Sequence, residues 1–494
     1  MKTHLSIDLG AGSGRVIAAR HDGAKLSMEV VSRFDNTPVE FAGHLFWNLP
    51  QLLQDIRAGL RAAAAKYGEI ASVGVDTWGV DYGLLDKTGR LLGLPYIYRD
   101  GRNTTVNTEA VFDLVGKRPL YDATGIQFMD FNTIFQLHAE RAEPASLLDL
   151  ADRLLFMPDL VCYALCGEKA NEATIASTSG LVDLQTRDFS PSLLSGIGVS
   201  PSLFRTPVAP GTVLGAVRGL PGLEGVPLVA VGSHDTASAV AAVPADPATS
   251  WGYLSTGTWA LLGVEIEKPI LTDDSYELNY THEGAANGKI RFLRNCTGMW
   301  MIQELRRSWT AQDGGVKPDW DVLMHEAEAA PAFRSLLDPD YPQFAMPGRM
   351  PEKIVEFCRL TGQPIPETRG QFYRAAMEGV VMRYRQVWAE LAKLTGRRRD
   401  VLHMIGGAIR DAMHCRMTAD ALGAAIACGP VEGAAMGNAV AQLVGLGLLA
   451  DFEQGRVLVR DSIEMTRWTP ENPLAWDDAF PRWLAAKQRA AGVL

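Results

Sequence analysis

Cysteine is scarce, with six in 494 residues and none at the spacing of a metal knuckle. That excludes a disulfide scaffold and offers no zinc site. Cys162 and Cys166 lie one helical turn apart with no histidine or cysteine nearby, so reduced core thiols are expected. Long apolar runs are missing too, and nothing approaches the roughly 20 residues a membrane span needs. Excess positive charge is absent: the net charge is -10, and the one basic cluster, Arg397-Arg398-Arg399, fits a solvated helix terminus. No basic stripe is present to neutralise phosphates along a nucleic acid. There is no solenoid-like period and no low-complexity tract. Met1-Lys2-Thr3-His4-Leu5 enters a strand at once without a signal-peptide pattern, so a cytoplasmic location is expected. What remains is ordinary globular material, 47% hydrophobic and 21% charged. The length exceeds one ordinary core and predicts two large domains.

The chain is organised around Val226-Pro227-Leu228-Val229-Ala230-Val231-Gly232-Ser233-His234-Asp235-Thr236-Ala237-Ser238-Ala239-Val240. The first half is a short apolar run with the character of a buried strand, and the second is small and helix-compatible. Asp235 is thereby delivered to the carboxyl end of a strand, where open α/β sheets bind ligands. Asp235 or Ser233 as a plain helix cap is the competing reading.

Two further stretches carry chemistry. His4–Leu9 alternates as a strand and runs into Gly10-Ala11-Gly12-Ser13-Gly14-Arg15, after which Val16–Arg20 resumes a strand pattern. The glycines therefore form a turn between antiparallel strands, unlike a dinucleotide fingerprint, in which they must open a helix. Glycine lets a backbone approach a ligand closely and aim N–H groups at an anion, so a phosphate loop is expected here. Ile70–Asp76 is a second apolar strand ending in an acid, followed by Thr77-Trp78-Gly79-Val80-Asp81. A tryptophan among carboxylates suits a sugar, because its face stacks on C–H groups while the acids take hydroxyl protons. A core tryptophan beside surface acids is the alternative. Gly125–Asn132 is an aromatic and polar loop fit to line a small-molecule pocket.

Val243–Ser250 is small, polar and broken by proline, which marks a domain boundary. Beyond it, Trp251–Trp259 repeats the plan of the first hairpin, ending in Ser255-Thr256-Gly257-Thr258. Two such hairpins, each opening its own half, suggest a duplicated fold. Gly406-Gly407 falls at a strand-to-helix junction, where a flat base can lie against the backbone. The expected division is 1–245, 251–450 and a C-terminal extension, 451–494.

In these stretches the sequence resembles the FGGY carbohydrate kinases, along nearly its whole length. The resemblance rests on Asp8–Arg15, Asp76–Asp81, Gly125–Phe128 with Phe131-Asn132-Thr133, Ser233–Val240 and Gly257-Thr258-Trp259. It implies an α/β fold of two actin-like, ribonuclease-H-like domains with ATP and a sugar in a cleft. Within the family it points to the branch that phosphorylates the C1 hydroxyl of L-rhamnulose. Carried over residue by residue, it implies that Asp235 is the base taking that hydroxyl proton. Gly79, His234, Thr236 and Asn295, together with Asp76 and Trp78, would hold the ketose. Ala11, Gly12, Ser13, Gly14 and Arg15 would form one phosphate loop, with Thr258, Gln303 and Gly407 on the nucleotide as well. Asp8 would orient Mg2+ through water. The partners implied are a ketose and ATP, with neither nucleic acid nor membrane, in a monomer or weak homodimer. A sister kinase for L-fuculose or another ketose or polyol is the alternative, and an actin-like ATPase without a sugar the remoter one. Two departures from the branch pattern stand out: Ala408-Ile409-Arg410-Asp411, which bears on adenine contacts, and Met129-Asp130, which bears on the sugar pocket.

Overall fold

The computed structural model describes residues 2–492. They form two compact units, neither continuous in sequence. The first takes residues up to Pro244 together with Glu265–Phe292 and Glu432–Ile463; the second takes Ala245–Val264, Leu293–Val431 and Glu464 onward. The first crossing, between Pro244 and Ala245, lies inside the small, proline-broken stretch.

The first unit is built on β1 (Lys2–Leu9), β2 (Ser13–His21), β3 (Leu26–Asp35), β4 (Ile70–Thr77), β5 (Val213–Ala216) and β6 (Pro227–Val229). Their order is β3-β2-β1-β4-β6-β5. β1 and β2 are antiparallel, with Leu9 opposite Gly14, so residues 10–12 are the hairpin tip. β1 runs parallel to β4 and β4 parallel to β6, which brings their carboxyl ends, and the acids there, to one edge.

β1 alternates in sequence, yet Leu5, Ile7, His4 and Ser6 are all at 0% exposure. The polar alternates are covered by the helix Gly433–Gly445, which the chain sends back from far downstream. Ser6 donates to the Ala435 carbonyl at 2.9 Å. His4 Nδ1 meets the Ser72 hydroxyl at 2.7 Å, and Ser72 donates to Gln442 Oε1 at 2.6 Å. Gln442 Nε2 donates to Asn438 Oδ1 at 2.7 Å, and Asn438 Nδ2 to Asp76 Oδ2 at 2.6 Å. A polar chain thus runs under the sheet from the start of β1 to the acid that ends β4. Buried polar groups persist only when bonded, so this chain fixes the helix to one register on the sheet.

One consequence is measurable. Burial pushes the His4 imidazole down to about 4 from its usual 6.5. The unfolded chain takes up that proton first, so stability is whole above the ordinary value and is lost as pH falls through this window. His4→Asn keeps a partner for Ser72 but does not titrate. Between about pH 7 and about pH 4.5 the variant should lose roughly 2–3 kcal/mol less stability than the parent in urea titrations. A parallel decline of the two proteins would refute the assignment.

The second sheet comprises β7 (Trp251–Thr256), β8 (Trp259–Ile266), β9 (Thr281–Gly284), β10 (Ile290–Thr297), β11 (Val401–Ile405), β12 (Ala425–Cys428) and β13 (Thr466–Trp468). Its order is β9-β10-β8-β7-β11-β12-β13. The plan of the first sheet recurs. β7 and β8 form an antiparallel hairpin, β7 runs parallel to β11, and β11 parallel to β12. An antiparallel strand then follows on the edge in both cases, β5 on β6 and β13 on β12. All six cysteines are free and buried, matching the expectation of reduced core thiols.

Candidate active site

In the first unit, Asp8 and Asp76 are paired in register at the ends of β1 and β4. Arg15, opposite Asp8 across the hairpin, donates to Asp8 Oδ2 at 2.5 Å and ion-pairs with Glu432. Burial lifts the Asp8 carboxyl to about 6, against the pull of Arg15 and helped by the charges of Asp235 and Glu432. Burial, with Asp8 beside it, raises Asp76 well above the carboxylate range. Asp76 Oδ1 is buried and without a hydrogen-bond partner. Two crowded carboxylates, one with an orphaned oxygen, fit a cation. Among the described residues no three His, Cys, Asp or Glu side chains converge on a metal position. Mg2+ would accordingly be oriented by Asp8 through water, with Asp76 beside it.

The hairpin tip is closed by Gly10 N–H donating to Ser13 O at 2.9 Å and Asn36 Nδ2 donating to Gly10 O at 3.0 Å. The glycines do different work. A Cβ at Gly14 would fall 2.2 Å from the Phe34 ring, so Gly14 is required by packing. A Cβ at Gly12 would meet nothing within 4 Å, so nothing in the protein demands glycine there. The open space over Gly12 suits an incoming anion.

After β4, Asp81 N–H donates to Gly79 O at 2.9 Å across Val80, whose φ is 69°. This is a γ-turn with positive φ at a β-branched residue, a strain of about 1–3 kcal/mol. It is held from both sides: Val80 N–H donates to Thr178 Oγ1 at 3.2 Å, and Thr133 Oγ1 donates to Val80 O at 2.7 Å. Thr178 also crowds Gly79, where a Cβ would sit 3.2 Å from its hydroxyl. Trp78 departs from the expectation of an open stacking face. It is 6% exposed, its ring lies 4.1 Å from that of Trp47, and its N–H donates to Asp81 Oδ2 at 3.0 Å. Trp47 Nε1, Tyr98 N–H and Gln136 Nε2 also donate to Asp81, so this acid is fully engaged in holding the loop. Asp130 is occupied as well, accepting from the hydroxyls of Thr105 and Thr108 at 3.0 and 2.8 Å.

The elbow follows β6. Thr77 N–H donates to Ser233 O at 2.8 Å, which stitches the elbow to the end of β4. The buried Glu172 accepts from Ser233 N–H at 3.2 Å, and Thr174 Oγ1 accepts from His234 N–H at 3.2 Å. Asp235 is the first residue of the helix Asp235–Ala241; the N-cap is His234, and it makes no side-chain cap bond. Neither Ser233 nor Asp235 therefore occupies the cap position. Asp235 Oδ1 accepts from Thr236 N–H at 2.6 Å and from the Thr236 hydroxyl at 3.2 Å. Its side chain is 33% exposed, the most open of the acids at this edge.

In the second unit, Thr258 Oγ1 donates to Gln303 Oε1 at 3.2 Å, joining two of the predicted nucleotide residues. Gly298 N–H and Met299 N–H donate to the Thr258 and Gly257 carbonyls, so the hairpin tip seats the start of the helix Trp300–Gln312. Asn295 lies on β10. Gly406, at φ 94°, fits only without a side chain, since a Cβ would be 2.5 Å from Thr256 O. This presses the Gly406–Gly407 turn onto the end of β7, two residues before Thr258. Gly407 itself is exposed, with open space where a Cβ would go. Asp411 is turned inward. It caps the helix Ala412–Leu422 through His414 N–H and accepts the Tyr373 hydroxyl at 3.0 Å.

Several residues at these sites were not singled out in the sequence. Glu432, Asn438, Glu172, Thr174, Glu283 and Arg291 lie far along the chain from the motifs they support. No local pattern announces them; only the fold brings them in.

Models of the N-terminal and C-terminal domains of the FGGY family of carbohydrate kinases match residues 3–242 and 252–446. A rhamnulokinase of Bacteroides thetaiotaomicron is 41% identical over 480 residues, covering 96% of this chain and 97% of that protein. Among solved structures, a ligand-bound xylulose kinase from Lactobacillus acidophilus aligns with TM-score 0.80 at 13% identity, over 99% of both chains. The ADP complex of Plasmodium falciparum glycerol kinase aligns with TM-score 0.77 at 14% identity, over 100% of this chain and 98% of that one. At such identities the likeness speaks for the fold alone. The chain belongs to the FGGY family of carbohydrate kinases. It has that family's two-domain, actin-like fold, and it is a phosphotransferase whose substrates are a sugar and ATP. Among the described residues no helix is long and apolar enough to cross a membrane.

Proposed function

We propose that this kinase transfers the γ-phosphoryl group of ATP to the C1 hydroxyl of L-rhamnulose. The observation that carries the reading is the Asp235 carboxylate, open at the end of β6 and held by Thr236. The 41% identity to a rhamnulokinase supports the choice of sugar. As the hydroxyl oxygen bonds to the γ-phosphorus, its proton passes to Asp235, and the bond to the β–γ bridging oxygen breaks with its electrons leaving on ADP. Phosphoryl transfer asks little else of protein than alignment and charge neutralisation.

His234, Thr236, Gly79, Asp76 and Asn295 hold the ketose, with Trp78 backing the loop. Ala11, Gly12, Ser13, Gly14 and Arg15 take phosphate oxygens from one hairpin and Thr258 from the other, with Gln303 and Gly407 nearer the base. Asp8 would hold Mg2+ through water, and the ion would supply neutralisation of phosphate charge. Since Asp411 is occupied by its helix cap and Tyr373, the altered Ala408–Asp411 run reaches the nucleotide through its exposed Arg410, beside the exposed Gly407. The enzyme acts as a monomer or weak homodimer in the cytoplasm, a reducing compartment in which free cysteines persist.

The test is coupled ADP release across a panel of ketoses and polyols. L-rhamnulose should give the highest kcat/KM. Faster turnover of L-fuculose would move the enzyme to a sister specificity. Sugar-independent ATP hydrolysis that survives loss of Asp235 would favour an actin-like ATPase.

A further inference from the structure

Behind His234 lies an ion pair that the proposed chemistry does not touch. Arg291 is at 0% exposure and Glu283 at 4%, on the neighbouring strands β10 and β9. Arg291 Nη2 is 2.9 Å from Glu283 Oε2 and 3.0 Å from His234 Nδ1, and its Nε donates to Gly284 O at 2.9 Å. A guanidinium has no lone pair to offer, so the 3.0 Å contact requires Nδ1 to be the acceptor. The ring proton must then sit on Nε2, which lies 3.5 Å from Asp235 Oδ1. Glu283 Oε2 is farther from Nδ1, at 3.3 Å, and is already engaged by Arg291.

Every donor aimed at Asp235 therefore converges on one oxygen. Oδ1 receives the Thr236 N–H, the Thr236 hydroxyl and the edge of His234, while Oδ2 receives none among the described residues. We propose that the buried Arg291–Glu283 pair is a positioning device that fixes the Nε2–H tautomer of His234. The tautomer turns a donor toward Asp235 Oδ1 and reserves Oδ2 as the proton acceptor. A ring with its proton on Nδ1 would set two donors against each other at Arg291 and present a lone pair to the Asp235 carboxylate, repelling it. This inference rests on Asp235 being the base, but its structural half can be read without turnover.

The experiment is imidazole 15N NMR of the histidine-labelled full chain at neutral pH, with His234 assigned by its disappearance in His234→Gln. The expected result is a bare Nδ1 and a protonated Nε2. A His234 protonated on Nδ1, or on both nitrogens, in the parent protein would overturn the proposal. Arg291→Met should populate the other tautomer and lower kcat by roughly 10- to 100-fold, with KM for ATP unchanged. An unchanged tautomer in Arg291→Met would also overturn it. Should that variant fail to fold, Glu283→Gln, which leaves Arg291 in place, must retain the Nε2–H form. Failure of the base assignment has a different signature: Asp235→Asn would keep turning over sugar while the parent tautomer stood as described.

Discussion

Asp235→Asn is expected to fold as the parent does and to lose sugar phosphorylation by about 10²- to 10⁴-fold in kcat, the usual worth of a positioned general base. The amide keeps the size of the carboxylate, and its oxygen can still accept from the Thr236 N–H and hydroxyl. What it cannot do is accept a proton on the second atom. The loss should therefore fall on kcat, with the sugar KM little changed. Urea midpoints within error of the parent would show that the fold is intact, because the group is partly exposed and carries no helix cap. Activity within tenfold of the parent would remove Asp235 from the role.

The second large effect is on folding. Gly437 sits inside the helix Gly433–Gly445, where alanine would ordinarily stabilise by about 1 kcal/mol. Here a Cβ would fall 1.7 Å from the Ser238 carbonyl oxygen, on the helix that begins with Asp235. Backbone cannot swing aside as a flexible side chain does, and overpacking of this kind costs about 1–3 kcal/mol and sometimes more. The clash should win, so Gly437→Ala is expected to destabilise by roughly 3 kcal/mol, opposite in sign to the helix propensity. Denaturant unfolding decides it, and a stabilised variant would mean the two helices are not so closely packed. The same contact explains why the chain returns a downstream helix to the first unit. That helix supports Asp235 from behind through Gly437 and braces Asp76 through Asn438.

Much of this was legible because the informative signals are local. A strand pattern broken by Gly10–Gly14 and resumed at Val16 can only turn back on itself, and Leu9 does face Gly14. The apolar run ending at Ser233-His234-Asp235 became a strand followed by a helix, as its composition implied. The duplicated hairpin was visible in the spacing of Gly257 and Thr258, and the second sheet repeats the first sheet's hairpin, parallel strands and antiparallel edge, with one further strand at its other side. The illegible parts share one cause, which is that their partners are distant in sequence. Trp78 looked like a sugar platform because nothing nearby said that Trp47 would pack against its ring. Arg291 and Glu283 sit in ordinary strand patterns, and only the packing of β9 and β10 turns them toward His234. The alternation of β1 marks a strand but does not name what covers its polar face: the helix from residue 433 does, with Ser6 bonded to it directly and His4 through Ser72.

The most direct test is the site of phosphorylation. The enzyme is incubated with ATP, Mg2+ and L-rhamnulose, and the product is examined for 13C–31P coupling. Coupling at C1, absent when Asp235→Asn replaces the parent enzyme, is the predicted result. Coupling at any other carbon, or no sugar phosphate at all beside released ADP, would contradict it.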